Sequence, residues 1–361
     1  MISGILKKAK DTFALGTKYR DIVGFAYDLA ALRPGYSQIV NTLQYLKFFI
    51  GNEHDRTLVG HYPVSFGVFI TLRCNLNCQS CYFDWKNQDI LKDDMSVEEF
   101  KTILNLPVFS RAIRINLAGG EVLIHPDLIE FIDIVHSKHL YSIIYSNGLL
   151  LHKCYKDISK SGLNSISVSV YDQFIDKQID NLAILIDENK RINNKMVISL
   201  SRIVSDDNYH SMETIINLAK RIGIKNIFFQ NHYTCEPEPV KGIYQDNKEY
   251  LLFLSHIEKQ AKNYKLNVIF PPLLPRHDTG LMCISLYSSF SVNRRGDMSP
   301  CCFIVPPAKI YGNVFTDKNP WNSYFSTYLR QTFIDHTMAK HPKCKNCSLK
   351  TIKSFGMVKF F

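Results

Sequence analysis

The sequence lacks any apolar run of the ~18 residues needed to span a bilayer; every hydrophobic stretch of its 361 residues is broken by charge. The opening MISGILKKAKDTFALGTKYR has no unbroken apolar segment and no small-residue cleavage site, so no secretory signal is expected. Proline (14) and glycine (17) are too few for a collagen-like or low-complexity chain. Acidic residues are the minority, 33 against 43 Lys and Arg, which leaves a net charge of +10. The lysines are dispersed, without aromatic interleaving, so net charge alone speaks for a metal-stabilised nucleic-acid binder. Cysteine, in contrast, is plentiful. Ten cysteines in a chain without export signals point away from disulfides and toward metal or redox chemistry in a reducing, cytoplasmic compartment.

The cysteines fall in groups. Cys74, Cys78 and Cys81 form C-x3-C-x2-C, close enough for one loop to turn three thiolates toward a common centre. Such soft ligands select zinc, copper(I) or iron–sulfur clusters. No fourth cysteine or close histidine completes a zinc set there, whereas an iron–sulfur cube held by three thiolates keeps one iron open. A second group comprises Cys283, the neighbours Cys301 and Cys302, and Cys344-x2-Cys347. Cys154 and Cys235 stand alone, and Cys154 reads as buried packing.

Between about residues 64 and 233, short β-branched runs alternate with amphipathic stretches, the pattern of βα units. Six strands are expected: SFGVFITL (65–72), AIRINLA (112–118), SIIYS (142–146), SISVSV (165–170), MVISLS (196–201) and NIFFQ (226–230). They read as nearly all apolar, as strands covered on both faces do. Ser96 and Glu99 are spaced as a capping box, and Gly162 and Gly223 sit where helix C-caps belong. Six such units predict an α/β fold, a partial (β/α)6 TIM barrel, with ligands on the loops that follow the strands. The cysteine trio lies on the first of these loops.

The division expected is a helical N-terminal extension (1–62), a barrel core (63–240) and a C-terminal region (241–361) with a linker helix, a strand at NVIF and a small α+β domain. Residues 1–50 carry seven Lys/Arg against three Asp/Glu. These helices either plug the bottom or open edge of the barrel or lie on an acidic membrane face.

Cys74-x3-Cys78-x2-Cys81 after the first strand and Ala118-Gly119-Gly120-Glu121 after the second resemble the radical S-adenosylmethionine (radical SAM) enzymes. The resemblance implies a 4Fe–4S cluster on the three cysteines, with its fourth iron binding the amino and carboxylate groups of SAM. Reductive cleavage of SAM then yields a 5′-deoxyadenosyl radical that abstracts hydrogen from a substrate C–H bond. It also implies SAM contacts for Gly119, Gly120 and Glu121, the last beside the ammonium group. Asn147 of the Ser146-Asn147-Gly148 turn, Ser169 at the end of strand four and Arg202 after strand five are further SAM candidates; a surface arginine is the alternative for the last. The position before Cys81, often aromatic in the family, is Ser80, and Tyr82 and Phe83 follow instead; Tyr82 is the candidate adenine contact. The Asp-Gly pair common after strand four is replaced by Tyr171-Asp172.

Cys283-x12-Gly296-x4-Cys301 and Cys344-x2-Cys347 resemble the auxiliary-cluster regions called SPASM and twitch. With no cysteine after Cys347, the resemblance implies one auxiliary 4Fe–4S cluster on Cys283, Cys301, Cys344 and Cys347, the rival being a structural zinc site. SSFSVNRRGDMSPC reads as a hairpin that turns at Gly296. Cys235, after strand six, is a candidate hydrogen-atom donor, with His232, Tyr233, Glu236 and Glu238 nearby.

The function expected is radical hydrogen abstraction on a peptide or small metabolite. A lipid or isoprenoid substrate at the membrane surface, and a zinc-stabilised nucleic-acid binder, are the alternatives. The partners implied are a reductant such as flavodoxin or ferredoxin and the substrate; peripheral contact with the inner membrane face is the role open to the N-terminal helices.

Overall fold

The computed structural model describes residues 34–50, 57–78, 81, 94–233, 241–274, 283, 285–301, 304, 311–335, 344 and 347. The β-branched runs form strands β1 (Ser65–Thr71), β2 (Arg114–Gly119), β3 (Tyr141–Ser146), β4 (Ser165–Ser169), β5 (Val197–Val204) and β6 (Asn226–Asn231). Each neighbouring pair is parallel and in sequence order. Between them run α2 (Val97–Leu104), α3 (Leu128–Ser137), α4 (Leu151–Lys160), α5 (Ile175–Arg191) and α6 (Ser211–Ile222), preceded by α1 (Tyr36–Ile50). This is the α/β arrangement of helix-covered parallel strands expected from the alternation.

The sheet is larger than six strands. After α7 (Lys248–Asn263), β7 (Asn267–Ile269) adds in parallel to β6. After the short α8 (Ser285–Ser288), β8 (Ser289–Val292) pairs in parallel with β1, and β9 (Met298–Ser299) folds back on β8. The hairpin expected around Gly296 therefore does more than carry Cys301: it extends the core sheet at its β1 edge. The last described helix is α9 (Tyr324–Ile334).

The two faces of the sheet differ sharply. Phe66, Val68, Ile70, Ile115, Leu117, Ile166, Val168, Leu200 and Ile227 point outward into one buried cluster with helix residues such as Phe100, Phe131, Leu182 and Ile215. Because successive side chains alternate, the register puts Ser65 and Gly67 (β1), Arg114 and Asn116 (β2), Ser165, Ser167 and Ser169 (β4), Ser199 and Ser201 (β5), Asn226 and Gln230 (β6) and Ser289 and Ser291 (β8) on the inner face. On β2, β6 and β8 the inward positions keep partial solvent exposure while their outward neighbours are buried, the last outward position of β2, Gly119, excepted. The helix side of the strands is thus apolar, whereas the lumen side mixes small polar groups with the apolar side chains of Phe69, Ile143, Val197, Ile203 and Phe228.

Caps and packing explain the local ends. Ser96 and Glu99 form both bonds of a capping box at α2, and Arg294 from the hairpin turn donates to Glu99 Oε1 (2.7 Å), tying hairpin to core. Gly223 ends α6 in the left-handed conformation (φ 78°). Gly162 is not a cap of this kind: the C-cap of α4 is Ser161, and a Cβ on Gly162 would lie 2.5 Å from the His136 ring. Helix α1 sits under the sheet. Gln38 Nε2 donates to Ala112 O (2.7 Å) and Asn41 Nδ2 to Tyr62 O and Arg111 O (3.2 and 3.1 Å), carbonyls just before β1 and β2. The bottom-plug expectation holds for this helix, while residues 1–33 lie outside those described. Among the described residues no helix is long and apolar enough to cross a membrane.

Arg330 on α9 staples the C-terminal region to the core. Its guanidinium donates to Leu286 O, Thr57 O, Asn322 Oδ1 and Trp321 O at 2.8–3.0 Å and stacks over the Trp321 ring, 4.8 Å away. Burial lowers its pKa to about 10, so it remains charged at neutral pH. Truncation to alanine leaves three carbonyls, two of them buried, without this donor. Arg330→Ala is expected to cost about 3 kcal/mol or more, read as a lower urea midpoint; an unchanged midpoint rejects the staple.

Candidate functional site

The C-terminal ends of β1, β2, β3 and β4 meet at one polar cluster. Chain direction and glycine set it up. After β1 the backbone presses on the turn after β2: Gly120 N donates to Thr71 O (3.1 Å) and Glu121 N to Arg73 O (2.8 Å). A Cβ on Gly119 would stand 1.9 Å from Thr71 O, and one on Gly120 would stand 2.2 Å from Arg73 O. Both positions therefore require glycine for this close backbone approach.

Glu121, 1% exposed, then points into the junction. Its Oε1 accepts from Ser146 Oγ (2.8 Å) and Leu123 N (3.1 Å), and its Oε2 from Asn147 N (2.7 Å). Burial raises its pKa, and these donors oppose the rise. Asn147 Nδ2 in turn donates to Asn75 Oδ1 (2.7 Å), one residue beyond Cys74. Two residues missed in the sequence complete the network. Gln178 Nε2 donates to Asn147 O and Ser169 O (both 2.7 Å), and Asn181 Nδ2 to Gly148 O (2.9 Å). Both are buried polar side chains three apart on α5, and that spacing on a core-facing helix stripe was the available signal.

The cysteine trio hangs from this junction. Cys81 N donates to Cys78 O (3.1 Å), closing a turn, and Cys81 packs with Phe69, Leu72 and Ala118 on the inner face. Burial pushes the Cys74 thiol up to about 11, an effect that Glu121, Cys78 and Cys81 reinforce and Leu76 N opposes. The three thiols thus share one half-buried environment. Among the described residues no three His, Cys, Asp or Glu side chains converge on a single-ion spacing; a cube offers each thiolate its own iron and does not require that convergence. Tyr171 stands beside Cys78 and Ser169, and burial raises its phenol to about 12. Ser169 Oγ lies 3.3 Å from Ser201 Oγ.

Arg202 lies inside β5, which runs three residues past its expected end. It donates to Asp172 Oδ2 (2.6 Å) and Val170 O (3.0 Å), so its guanidinium already clamps the loop after β4. Tyr82 and Cys235, with Glu236 and Glu238, lie outside the described residues; His232 and Tyr233 follow β6 directly. Cys154 is half-buried against the core, with its thiol directed at Leu150 O (3.6 Å).

The second cysteine group also gathers. Burial, then the charge of Cys347, pushes the Cys283 thiol up to about 12. Burial, and then the neighbouring Cys344 and Cys301, raise the Tyr311 phenol, and Cys347 N donates to Cys344 O (3.3 Å). Cys283, Cys301 and Cys344 all pack on the main core.

Asp94 closes the base of the cysteine loop. It accepts from Thr71 Oγ1 (2.6 Å) and Arg73 Nε (3.1 Å) and pairs with Arg73 Nη2. Burial pulls its pKa upward, but the Arg73 and Thr71 hydrogen bonds outweigh it and hold the carboxyl below the usual range. A depressed carboxyl stabilises the fold above the unfolded-state value, and that stabilisation disappears as pH falls through the folded value. Asp94→Asn is therefore expected to lower the urea midpoint at pH 7 and to approach wild type as pH drops below about 4. A gap that is constant with pH rejects this assignment.

Comparison with known proteins agrees with this geometry. Residues 68–173 match the Radical SAM superfamily model. A probable GTP 3′,8-cyclase of Methanococcus vannielii is 34% identical over 107 residues, 29% of this chain and 36% of that protein, so the match spans about a third of the relative's length. The antilisterial bacteriocin subtilosin biosynthesis protein AlbA of Bacillus subtilis is 22% identical over 318 residues, 79% of this chain and 67% of that protein. The crystal structure of Streptococcus suis SuiB bound to precursor peptide SuiA superposes with a TM-score of 0.61 at 14% identity, covering 86% of this chain and 75% of the other.

Proposed function

The chain belongs to the radical SAM enzymes, and on that premise we propose that it modifies a peptide by abstracting hydrogen from an unactivated C–H bond. The observation that carries this reading is the junction where the cysteine loop, Gly119-Gly120-Glu121 and Asn147 meet at the mouth of a polar lumen. The peptide substrate is favoured by AlbA, similar along most of the chain and named for bacteriocin biosynthesis, and by the fold shared with SuiB, whose structure holds a precursor peptide. The cyclase similarity is confined to a third of the chain and speaks only for the shared core.

Cys74, Cys78 and Cys81 fit a 4Fe–4S cluster: three soft donors, half-buried, close together on the loop after β1. When bound, the reduced cluster and SAM supply the 5′-deoxyadenosyl radical that takes the hydrogen atom. The chain's own residues position and shield. Glu121 Oε1 already holds two donors, while Oε2 holds one and keeps a lone pair for the SAM ammonium group. The Asn147 backbone is held by Glu121 and Gln178, and its side chain, which accepts from Leu149 N and donates to Asn75 Oδ1, faces the cysteine loop. Ser169 supplies a hydroxyl at the rim for the ribose, and Gly119 and Gly120 set the distance between the cofactor turn and the cluster loop. Arg202, paired with Asp172, reaches the SAM carboxylate only by leaving that partner. Tyr82 and Cys235 keep the adenine and hydrogen-donor assignments made from their positions. Cys283, Cys301, Cys344 and Cys347 would hold the auxiliary cluster; four thiolates would leave it no open iron, which suits electron transfer or anchoring over substrate binding.

Anaerobic reconstitution tests the reading. Two cubes give about eight irons per chain, and reduction with SAM is expected to release 5′-deoxyadenosine. Cys78→Ala abolishes the release, and Cys344→Ala lowers iron by about half. Absent SAM cleavage in the wild type overturns the functional assignment; full iron content in Cys344→Ala overturns the auxiliary site.

A further inference from the structure

The lumen contains a charge that the cofactor chemistry does not use. Among the described strand residues on the inner face, Arg114 is the only charged one. It opens β2, beside Ser65, whose Oγ accepts from its Nε at 3.0 Å. Burial lowers its pKa, and the neighbouring phenols of Tyr145, Tyr141 and Tyr45 oppose that shift. Tyr145, on the same face of the sheet, is 44% exposed. Across the strand pair from Tyr145 stands Ser167, 3% exposed, whose hydroxyl makes no hydrogen bond among the described residues. A half-buried guanidinium with a serine hydroxyl bound to it and phenols nearby offers several donors, the chemistry that recognises an oxyanion. Arg330 shows the contrasting case: 1% exposed and pinned to backbone carbonyls, it is sealed from any ligand, whereas Arg114 keeps contact with solvent in the lumen.

We infer that Arg114, with Tyr141, Tyr145 and Ser65, forms a carboxylate-binding subsite at the lumen floor that anchors the acidic end or an acidic side chain of the substrate. This rests on the peptide reading above and sharpens it. Arg114 lies five positions below Gly119 on β2, roughly 16 Å at ~3.3 Å per residue. An extended peptide covers that depth with about four to five residues. The carboxylate thus sits that far in sequence from the C–H bond that reacts at the mouth.

Arginine-selective labelling with phenylglyoxal, mapped by mass spectrometry on the protein without cofactors, tests the subsite. Glutarate is expected to slow labelling of Arg114 at least fivefold and to leave surface arginines unchanged, while glutaramide, its neutral counterpart, gives no protection. Equal protection by both, or no labelling of Arg114 at all, overturns the proposal. Two peptides separate the sources of the carboxylate: N-acetyl pentaalanine with a free C-terminus, and a C-terminal amide with glutamate at its centre. Calorimetry should show at least one binding about tenfold more tightly to wild type than to Arg114→Gln, with Arg114→Lys intermediate. Wild-type affinity for both in Arg114→Gln, or binding of neither to wild type, overturns it. The labelling needs neither cluster nor SAM, so failure of SAM cleavage rejects the function and leaves this result standing.

Discussion

Two backbone hydrogen bonds, Gly120 N to Thr71 O and Glu121 N to Arg73 O, hold the exits of β1 and β2 against each other, and the rest of the junction depends on them. They are possible because the two residues that would carry a Cβ into the β1 exit carry none. Once the exits touch, Glu121 has no route to water and must find its donors inside. It finds them in the turn after β3. That turn is then fixed well enough for Asn147 to bridge to Asn75, and Gln178 ties it to the end of β4. One close approach thereby orders four strand ends and the root of the cysteine loop.

The same logic sets the cost of the loop. Between Arg73 and Asp94 the chain leaves and re-enters the sheet edge, and the Thr71–Arg73–Asp94 triangle closes its base. Backbone adds to the closure through Met95 N to Ile70 O (2.8 Å), and His125 Nε2 meets Met95 O at 3.0 Å. A long loop whose ends are clamped pays its closure entropy in the fold rather than at the moment of ligand binding. Its clamped ends fix where Cys74 leaves β1 and where the chain returns at Asp94.

Much of this was legible in the sequence, and for physical reasons. Six β-branched runs, the Ser96–Glu99 box and the Gly223 stop rest on local propensity, and all appear where expected. The cysteine spacing and the Gly-Gly-Glu turn are local as well. What was not legible is what depends on pairing across long separations. Nothing local tells that residues 289–292 add to β1, that Arg330 reaches back to Thr57, or that Arg202 is occupied by Asp172. Gly162 looked like a helix stop and is instead a point of contact with His136, a distinction that only the packed neighbour makes.

The apolar reading of the strands failed in a way that bears on chemistry. Runs such as SISVSV look hydrophobic on average, yet period two sorts them into a Val/Ile face for the helices and a serine face for the lumen. A barrel filled with branched aliphatics would be a packed core. Small hydroxyls at the same positions offer hydrogen bonds along the interior wall, at the cost of the packing they replace. A fold accepts that cost where something polar is to occupy the space. The extended backbone of a peptide matches such a wall along its whole length, because it presents a donor or an acceptor every residue or so, and serines on β4, β5 and β8 offer both roles. The serines of β4, β5 and β8 thus support the proposed peptide substrate from a property internal to the chain.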